Sequence, residues 1–448
     1  MEAFSEFAAA DAGATEAEEP REHDILQTAT STRAATNRTL ISVYCSHMRP
    51  LAILTVSMTA MFAALTTRAG QDGAAVARAA RLRQDISTLE TVLPKTADRG
   101  AALYMLARRH AELGEEDRAQ SILVECLSLD EGFEADIPAL AGLQKFPEVH
   151  QAAVRFRGRH PPIHKAAVAF TVGENDLFPE GLAYDPGRRA FYLSSEYHNK
   201  IVRVDEHRHV SDFVPDDRYH LAPVGGLRVD PADQSLWAAT DSAEFVHVDR
   251  NGELVDRFSA PDPDAHIMND LVVRRAGEVY VTDTRGHLVF RLNRASRQLA
   301  PVQFHRPLLY PNGITLSPDE QLVFVADDLG VIVLDLRTGH SFDVRPGRNT
   351  TLAGIDGLYW HKRDLVGVQY GTGAYRVMRW RLSPDSRAVI SSAVLEYRTN
   401  LVDFPTTGAI VDDDFYFIAN TGIGNLEHGR IVDRAKLEPV RIAVVKLN

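Results

Sequence analysis

The chain has 448 residues, of which 45% are hydrophobic and 25% charged, and its formal net charge at pH 7 is −12. A chain of this length can form two or three domains with a large buried core. The acidic balance leaves no basic footprint, so we expect no nucleic-acid partner. The two cysteines, Cys45 and Cys126, lack the spacing of a structural zinc site, and we expect no disulfide because Cys45 precedes an apolar N-terminal segment.

The N-terminal region has the composition of a targeting segment. Residues 1–47 are rich in Ala, Thr, Ser and Glu, which is typical of a disordered stretch or of one absent from the mature protein. If translation began at Met48, residues 48–70 would form a signal peptide, and the protein would be periplasmic or secreted. A single membrane anchor at about 50–67 is one alternative, and a buried core helix is the other.

Residues 74–160 have apolar side chains at helical spacing. The first predicted helix ends at Pro94, and Leu113-Gly114 joins two more helices that resemble one tetratricopeptide unit. A short turn and a last helix follow and end at His160-Pro161-Pro162. One such unit cannot bury its own apolar face, so we expect it to pack against the rest of the chain or against a protein partner.

Short apolar strands separated by turns fill residues 165–448. One sequence position recurs before an apolar strand at steps of 45, 44, 43, 44 and 51 residues, occupied in turn by Glu180, Gly225, Asn269, Asn312, Asp356 and Thr407. Six such units predict a mainly β fold, a six-bladed β-propeller preceded by the small α-helical segment. Residues 167–173 precede the first unit, and we expect them to pair with residues 442–448 and close the ring.

Four of the six equivalent positions carry carboxylate or amide side chains, namely Glu180, Asn269, Asn312 and Asp356. Inner strands of a propeller line its channel, so these side chains are expected to meet near one mouth. Two carboxylates and two amides are hard ligands that favour Ca²⁺, although Mg²⁺ and Mn²⁺ also fit. The alternative is that these are turn and cap residues. That alternative does not explain why four of six equivalent positions are of ligand type.

The ordered motifs resemble a known family, the senescence-marker-protein, gluconolactonase and regucalcin-like group of calcium-dependent six-bladed propellers, over about residues 165–448. The motifs are FPEGLAYD, MNDLVV with EVYVTD, LYPNGITLSPDEQLVFVAD and IDGLYW. The resemblance implies a divalent metal and hydrolysis of a lactone or ester. It assigns metal ligands to Glu180, Asn312 and Asp356, the substrate side to Asn269, which can also reach the metal, and acid/base chemistry to Asp356. Ile267 departs from the resemblance, because sugar-lactone members carry an arginine there that could donate to the substrate.

Two functions follow from these patterns. The first is a Ca²⁺-dependent hydrolase of a small lactone or ester, in which the metal polarises the carbonyl and Asp356 is the general base. The second is a non-catalytic propeller that binds a ligand or, through the helical segment, a protein partner. The open carboxylate site favours the enzyme, because a scaffold does not need one.

Other polar residues are weaker candidates. Asp241, Asp283 and Asp327 end second strands in blades with and without ligand-type residues, so we expect them to be structural. Residues that could line the mouth from loops are His198, His220, His266, His305, Tyr310 and Tyr370.

Overall fold

The computed structural model describes residues 75–129, 131–216 and 218–448. The predictions for residues 1–47 and 48–70 lie outside these ranges. Within them, no helix is both long enough and apolar enough to cross a membrane. One compact unit contains Asp85–Asn448, and residues 75–84 belong to a second unit.

Among the described residues five helices precede the strands; the sequence predicted four of them, and a turn where the 3₁₀ helix lies. They are α1 (75–92), α2 (Arg99–Glu112), α3 (Glu116–Ser128), a 3₁₀ helix (Pro138–Lys145) and α4 (Pro147–Arg159). Asp98 caps α2, since its Oδ1 accepts a hydrogen bond from the Ala101 N–H at 2.8 Å. Gly114, with φ of 78°, makes the turn between α2 and α3, where a left-handed residue ends the helix.

Six antiparallel sheets form the blades of a propeller, which confirms the predicted fold. Blade one contains β3 (Leu182–Asp185), β4 (Ala190–Ser194), β5 (Ile201–Val204) and β6 (Val210–Val214). Blade two contains β7 (Val224–Val229), β8 (Leu236–Thr240), β9 (Glu244–Val248) and β10 (Leu254–Ser259). Blade three contains β11 (Met268–Val273), β12 (Glu278–Asp283), β13 (Leu288–Asn293) and β14 (Gln298–Pro301).

Of the remaining blades, the fifth and the sixth each also contain a strand that precedes blade one in the sequence. Blade four contains β15 (Ile314–Leu316), β16 (Leu322–Asp327), β17 (Gly330–Asp335) and β18 (Ser341–Asp343). Blade five contains β19 (Ile355–His361), β20 (Asp364–Gln369), β21 (Arg376–Leu382) and β22 (Val389–Tyr397), with β1 (Ile163–His164) at its outer edge. Blade six contains β23 (Gly408–Val411), β24 (Asp414–Ile418), β27 (Val440–Lys446) and β2 (Ala167–Val172). A small hairpin, β25 (Leu426–Glu427) with β26 (Arg430–Ile431), lies between β24 and β27.

Strand β2 closes the ring. It pairs antiparallel with β27, with Val172 opposite Val440, so that the outer strand of the last blade comes from the beginning of the propeller. This confirms the predicted pairing. Apolar side chains fill the gaps between blades, as where Trp237 of blade two packs with Leu271 and Phe290 of blade three. Closure matters because it removes two sheet edges.

The helical segment packs on blades four and five, at the end where the inner strands begin. Its apolar cluster includes Leu309, Tyr310, Leu329 and Ala353 from the loops of that end. Several buried charged residues tie the segment down, and Arg109 and Glu134 are two of them. The Arg109 guanidinium is paired with Asp85 at 3.1 Å and Asp328 at 3.0 Å.

Glu134 is the second buried charge, at 1% exposed. It accepts hydrogen bonds from the Tyr397 hydroxyl at 2.9 Å and the Ala374 N–H at 3.2 Å, and it is ion-paired with Arg398. These contacts hold the helical segment to blade five beside the channel mouth.

Candidate functional site at the channel mouth

The structure brings the six repeated positions into one ring. Blade one meets blade six where the Leu182 N–H donates to Thr407 Oγ1 at 3.1 Å, and blade three meets blade four where the Ile314 N–H donates to Asp270 Oδ2 at 3.3 Å. The backbones approach so closely that a Cβ on Gly313 would overlap the carbonyl oxygen of Asp356. This close approach explains why glycine follows the ring position in most blades.

A left-handed backbone conformation precedes the ring position in several blades. Phe178, Tyr310 and Gly354 lie two residues before Glu180, Asn312 and Asp356, with φ of 44°, 51° and 64°. In blade six Phe404 has φ of 58°. Bulky residues rarely adopt this conformation, and strained backbone of this kind concentrates at functional sites. Its recurrence shows that one local geometry positions the first residues of several inner strands.

Two of the four predicted ligands have buried oxygens without a hydrogen-bond partner. Asp356 is 1% exposed, and neither of its carboxylate oxygens is hydrogen-bonded within the described part of the chain. The Asn312 Oδ1 is also buried and has no hydrogen-bond partner among the described residues. Leaving a buried polar atom unpaired costs about 1–3 kcal/mol, more for a charged group. A cation on the axis would satisfy all three oxygens.

The other two predicted ligands lie on the same ring. Glu180 and Asn269 are both half-buried. Glu180 Oε2 lies 3.9 Å, and the Asn269 carbonyl oxygen 3.5 Å, from the position that a Cβ on Gly225 would occupy. The glycine in blade two therefore leaves room between the first and third blades.

Carboxyl groups crowd this mouth and alter one another's protonation. Burial raises the pKa of Asp356 well above its usual range, and the charges of Glu180 and Asp270 raise it further, while Tyr370 and Asn312 act against them. Burial also raises the pKa of Glu180, together with Glu196, whose carboxyl group lies within hydrogen-bonding reach. Strongly shifted acids in a cleft are typical of functional sites.

Glu196 and Asp241 are members of this cluster that the sequence did not assign to it. Burial raises the pKa of each to about 7, and the charges of Asp241 and Asp356 raise that of Glu196 further, whereas its hydrogen bond with Glu180 lowers it. The charge of Glu180 likewise raises the pKa of Asp241. Asp241 thus lies at the end of a second strand, as expected, and its pKa also responds to the charge of Glu180.

A second repeat, of backbone hydrogen bonds, positions these residues. The residues just after the second strands, Glu196, Asp241, Thr284 and Tyr370, each donate a backbone N–H to a carbonyl two residues before the ring position, at 3.2, 2.8, 2.9 and 3.1 Å. These residues therefore surround the ring of Glu180 and Asp356. Their side chains share no chemical type, so the composition of the repeat did not reveal them.

The expected structural aspartates differ from this group. Asp283 accepts from the Ile267 N–H at 2.9 Å and contacts the His266 ring at 2.5 Å, and Asp327 is paired with Arg306 at 2.6 Å. Both carboxylates are fully engaged in strand ends, which confirms the structural interpretation.

His198 belongs to a further group that could hold a metal ion, together with Glu174 and Asp176. Its Nε2 lies 3.2 Å from Asp176 Oδ1 and 3.8 Å from Glu174 Oε1. Lys200 Nζ, 2.7 Å from Glu174 Oε1, already supplies that carboxylate with a positive charge. The central ring, where the buried oxygens of Asn312 and Asp356 have no hydrogen-bond partner in the described part of the chain, is therefore the stronger candidate for a resident cation.

Comparison with solved structures finds similar chains of low identity. A gluconolactonase from Xanthomonas campestris is 16% identical, with 64% of this chain and 98% of that chain covered and a TM-score of 0.46. A putative gluconolactonase is 17% identical, with 64% and 94% covered and a TM-score of 0.41. A virginiamycin B lyase from Staphylococcus aureus is 14% identical, with 58% and 83% covered and a TM-score of 0.44.

None of the curated proteins compared matches the chain. The sequence model of the SMP-30/Gluconolactonase/LRE-like region matches residues 178–341. This stretch begins at Phe178, before blade one, and ends at the fourth strand of blade four. It includes Glu180, Asn269 and Asn312. Over these residues the chain is similar to the SMP-30/gluconolactonase/LRE-like family, as its repeated motifs predicted.

Proposed function

We propose that this protein is a metal-dependent hydrolase of a lactone or a related ester. The observation that carries the proposal is the set of unpaired, buried oxygens of Asn312 and Asp356 beside Glu180 on one ring. The family match over residues 178–341 supports a hydrolase-like propeller.

The residues present fit a hard divalent cation. Glu180, Asn312 and Asp356 would hold it, and Asn269 lies on the same ring, which gives only carboxylate and amide oxygens. This donor set suits Ca²⁺, and Mg²⁺ or Mn²⁺ are alternatives. When bound, the ion would supply Lewis acidity to a substrate carbonyl.

The chain's own residues would perform the remaining steps. Asp356 would accept the proton of the attacking water, since its carboxylate is buried on the ring beside Asn312. The Asn269 amide would orient the substrate across the ring. Tyr370, whose hydroxyl lies near Asp356, would hold that carboxylate in place.

The proposal is tested with a panel of lactones and aryl esters, assayed with Ca²⁺ and after removal of metal by EDTA. We expect hydrolysis of at least one class, its loss in EDTA and its return with added metal. Stability that does not depend on metal, together with no turnover of any substrate, would instead support a propeller that only binds a ligand.

A further inference from the structure

Three aromatic side chains form a cluster on the rim between blades five and six. The ring centroids of Tyr370 and Phe404 are 5.6 Å apart, those of Tyr375 and Phe404 5.5 Å, and those of Tyr370 and Tyr375 6.3 Å. All three side chains are half-buried, so each keeps part of its surface exposed. We call these three residues the aromatic rim.

The aromatic rim adjoins the ring of candidate ligands. The Tyr370 N–H donates to the Gly354 carbonyl at 3.1 Å, two residues before Asp356. On its other side, Phe404 lies two residues before Thr406, whose hydroxyl donates to the Glu180 carbonyl at 3.1 Å. A molecule whose carbonyl reached the ring could therefore place a neighbouring substituent against these three side chains.

The charge at the mouth restricts what that molecule can be. Glu196 and Asp241 border the ring of Glu180 and Asp356, because their N–H groups donate to carbonyls two residues before Glu180 and Gly225, so four acidic residues lie at this mouth. The guanidinium of Arg228 is already bound to Asp270 at 2.9 Å. A substrate with a carboxylate of its own would be repelled.

We propose that the substrate is a neutral lactone or ester bearing an aromatic substituent, which stacks on the aromatic rim while its carbonyl faces the ring of ligands. The inference rests on the proposed function and narrows its substrate class. It assigns Tyr375 and Phe404 as specificity-determining residues.

The test compares matched δ-lactones on the metal-loaded protein. One is δ-valerolactone, the second carries a phenyl group on a saturated ring carbon remote from the carbonyl, and the third has a carboxylate on that phenyl group. An aromatic contact contributes about 0.5–1.5 kcal/mol beyond its buried area. We expect kcat/KM for the phenyl lactone to exceed that for δ-valerolactone about tenfold, and the carboxylate to remove most of this gain.

Variants of the aromatic rim test whether these residues cause the preference for the phenyl lactone. In Phe404→Leu and Tyr375→Leu the kcat/KM ratio of phenyl to plain lactone should fall towards one. In the control Tyr416→Leu it should stay near its wild-type value, because Tyr416 is half-buried but contacts Phe191, between blades six and one, at 5.0 Å. Because both lactones are assayed on the same sample, this ratio does not depend on how much of the variant is folded.

The outcomes separate the two proposals. If both lactones are hydrolysed but the ratio is near one, or is unchanged in Phe404→Leu, the substrate inference is overturned while the hydrolase stands. If neither is hydrolysed, the proposed function fails, and binding of the corresponding phenyl lactam is measured by saturation-transfer NMR. Binding lost in Phe404→Leu would then support an aromatic site, whereas no binding by wild type would overturn it.

Discussion

Asp356 combines features that rarely coexist in a structural residue. It is buried, neither of its carboxylate oxygens has a partner in the described chain, and it lies among other carboxyl groups. A charge in this state is costly to maintain unless a cation or a substrate compensates it. Its position therefore favours a chemical role over a structural one.

The variant Asp356→Asn should lower kcat for lactone hydrolysis by about 10²–10⁴-fold, because an amide cannot accept the proton. It should also weaken calcium binding measured by titration calorimetry. Asp283→Asn is the matched control, since Asp283 also lies near the mouth but is hydrogen-bonded to strand-end groups. Full activity in Asp356→Asn across the substrate panel would contradict the assigned role.

The carboxyl cluster also predicts how stability depends on pH. Glu196 and Asp241 have ordinary pKa values of 4.5 and 3.8, and the fold raises both to about 7. Between pH 4 and pH 7 the folded protein therefore holds protons that the unfolded chain has lost, so its stability falls as pH rises through this window. The metal-free protein should be more stable at pH 5 than at pH 8.

Urea unfolding in EDTA at a series of pH values measures this directly. Glu196→Gln should flatten the profile, and Ca²⁺ should restore stability more at pH 8 than at pH 5 because it compensates the ionised carboxylates. A metal-free profile that rises from pH 5 to pH 8 would mean that these carboxyl groups are not coupled as described.

Among the elements, the helical segment depends on a few buried polar contacts. Glu134 connects it to Tyr397, Ala374 and Arg398 of blade five and the adjoining loops. Removing one partner of a buried ion pair leaves the others unsatisfied.

Glu134→Gln should therefore reduce the free energy of unfolding by about 3 kcal/mol in urea. The control is the surface pair of Arg99 with Glu125, whose side chains are 53% and 50% exposed. Glu125→Gln should change the free energy of unfolding by less than about 1 kcal/mol. Equal effects of the two substitutions would show that Glu134 does not anchor the segment.

Strand β2 offers a second test at this scale. Val172 is fully buried against β27, whereas Val168 of the same strand is 47% exposed. Val172→Asp should cost more than about 3 kcal/mol of unfolding free energy or prevent folding, because it buries a charge where the ring closes. Val168→Asp should stay within about 0.5 kcal/mol. Thermal unfolding of the two variants provides the comparison, and similar melting temperatures would contradict the role of β2 in closure.

At the scale of the whole molecule, most of what the sequence predicted about the fold and the site came from its repeat. A period near 44 residues was enough to predict six blades, the closing strand and the convergence of Glu180, Asn269, Asn312 and Asp356, because equivalent positions in a propeller must meet around its axis. The added strand β1 and the hairpin β25–β26 were not predictable in this way, since they occur once. The same holds for Glu196, because the residues with the same backbone hydrogen bond in other blades have unlike side chains.

The sequence repeat also could not predict which surface of the propeller the helical segment covers. The sequence predicted an apolar face that needed a partner, but the surface it covers depends on single contacts between distant residues, such as Tyr310 with Asp85 at 2.8 Å. Single contacts of this kind produce no repeating pattern in the sequence. They nevertheless place the helices beside the mouth rather than on the outer strands.

A calcium titration of metal-stripped protein, in which binding and lactone hydrolysis are followed together, tests the metal-dependent hydrolase most directly. We expect one site per chain at the ring of Glu180, Asn312 and Asp356, with activity rising in proportion to its occupancy and both signals weakened in Asp356→Asn. Hydrolysis at an undiminished rate in the metal-stripped protein would contradict it.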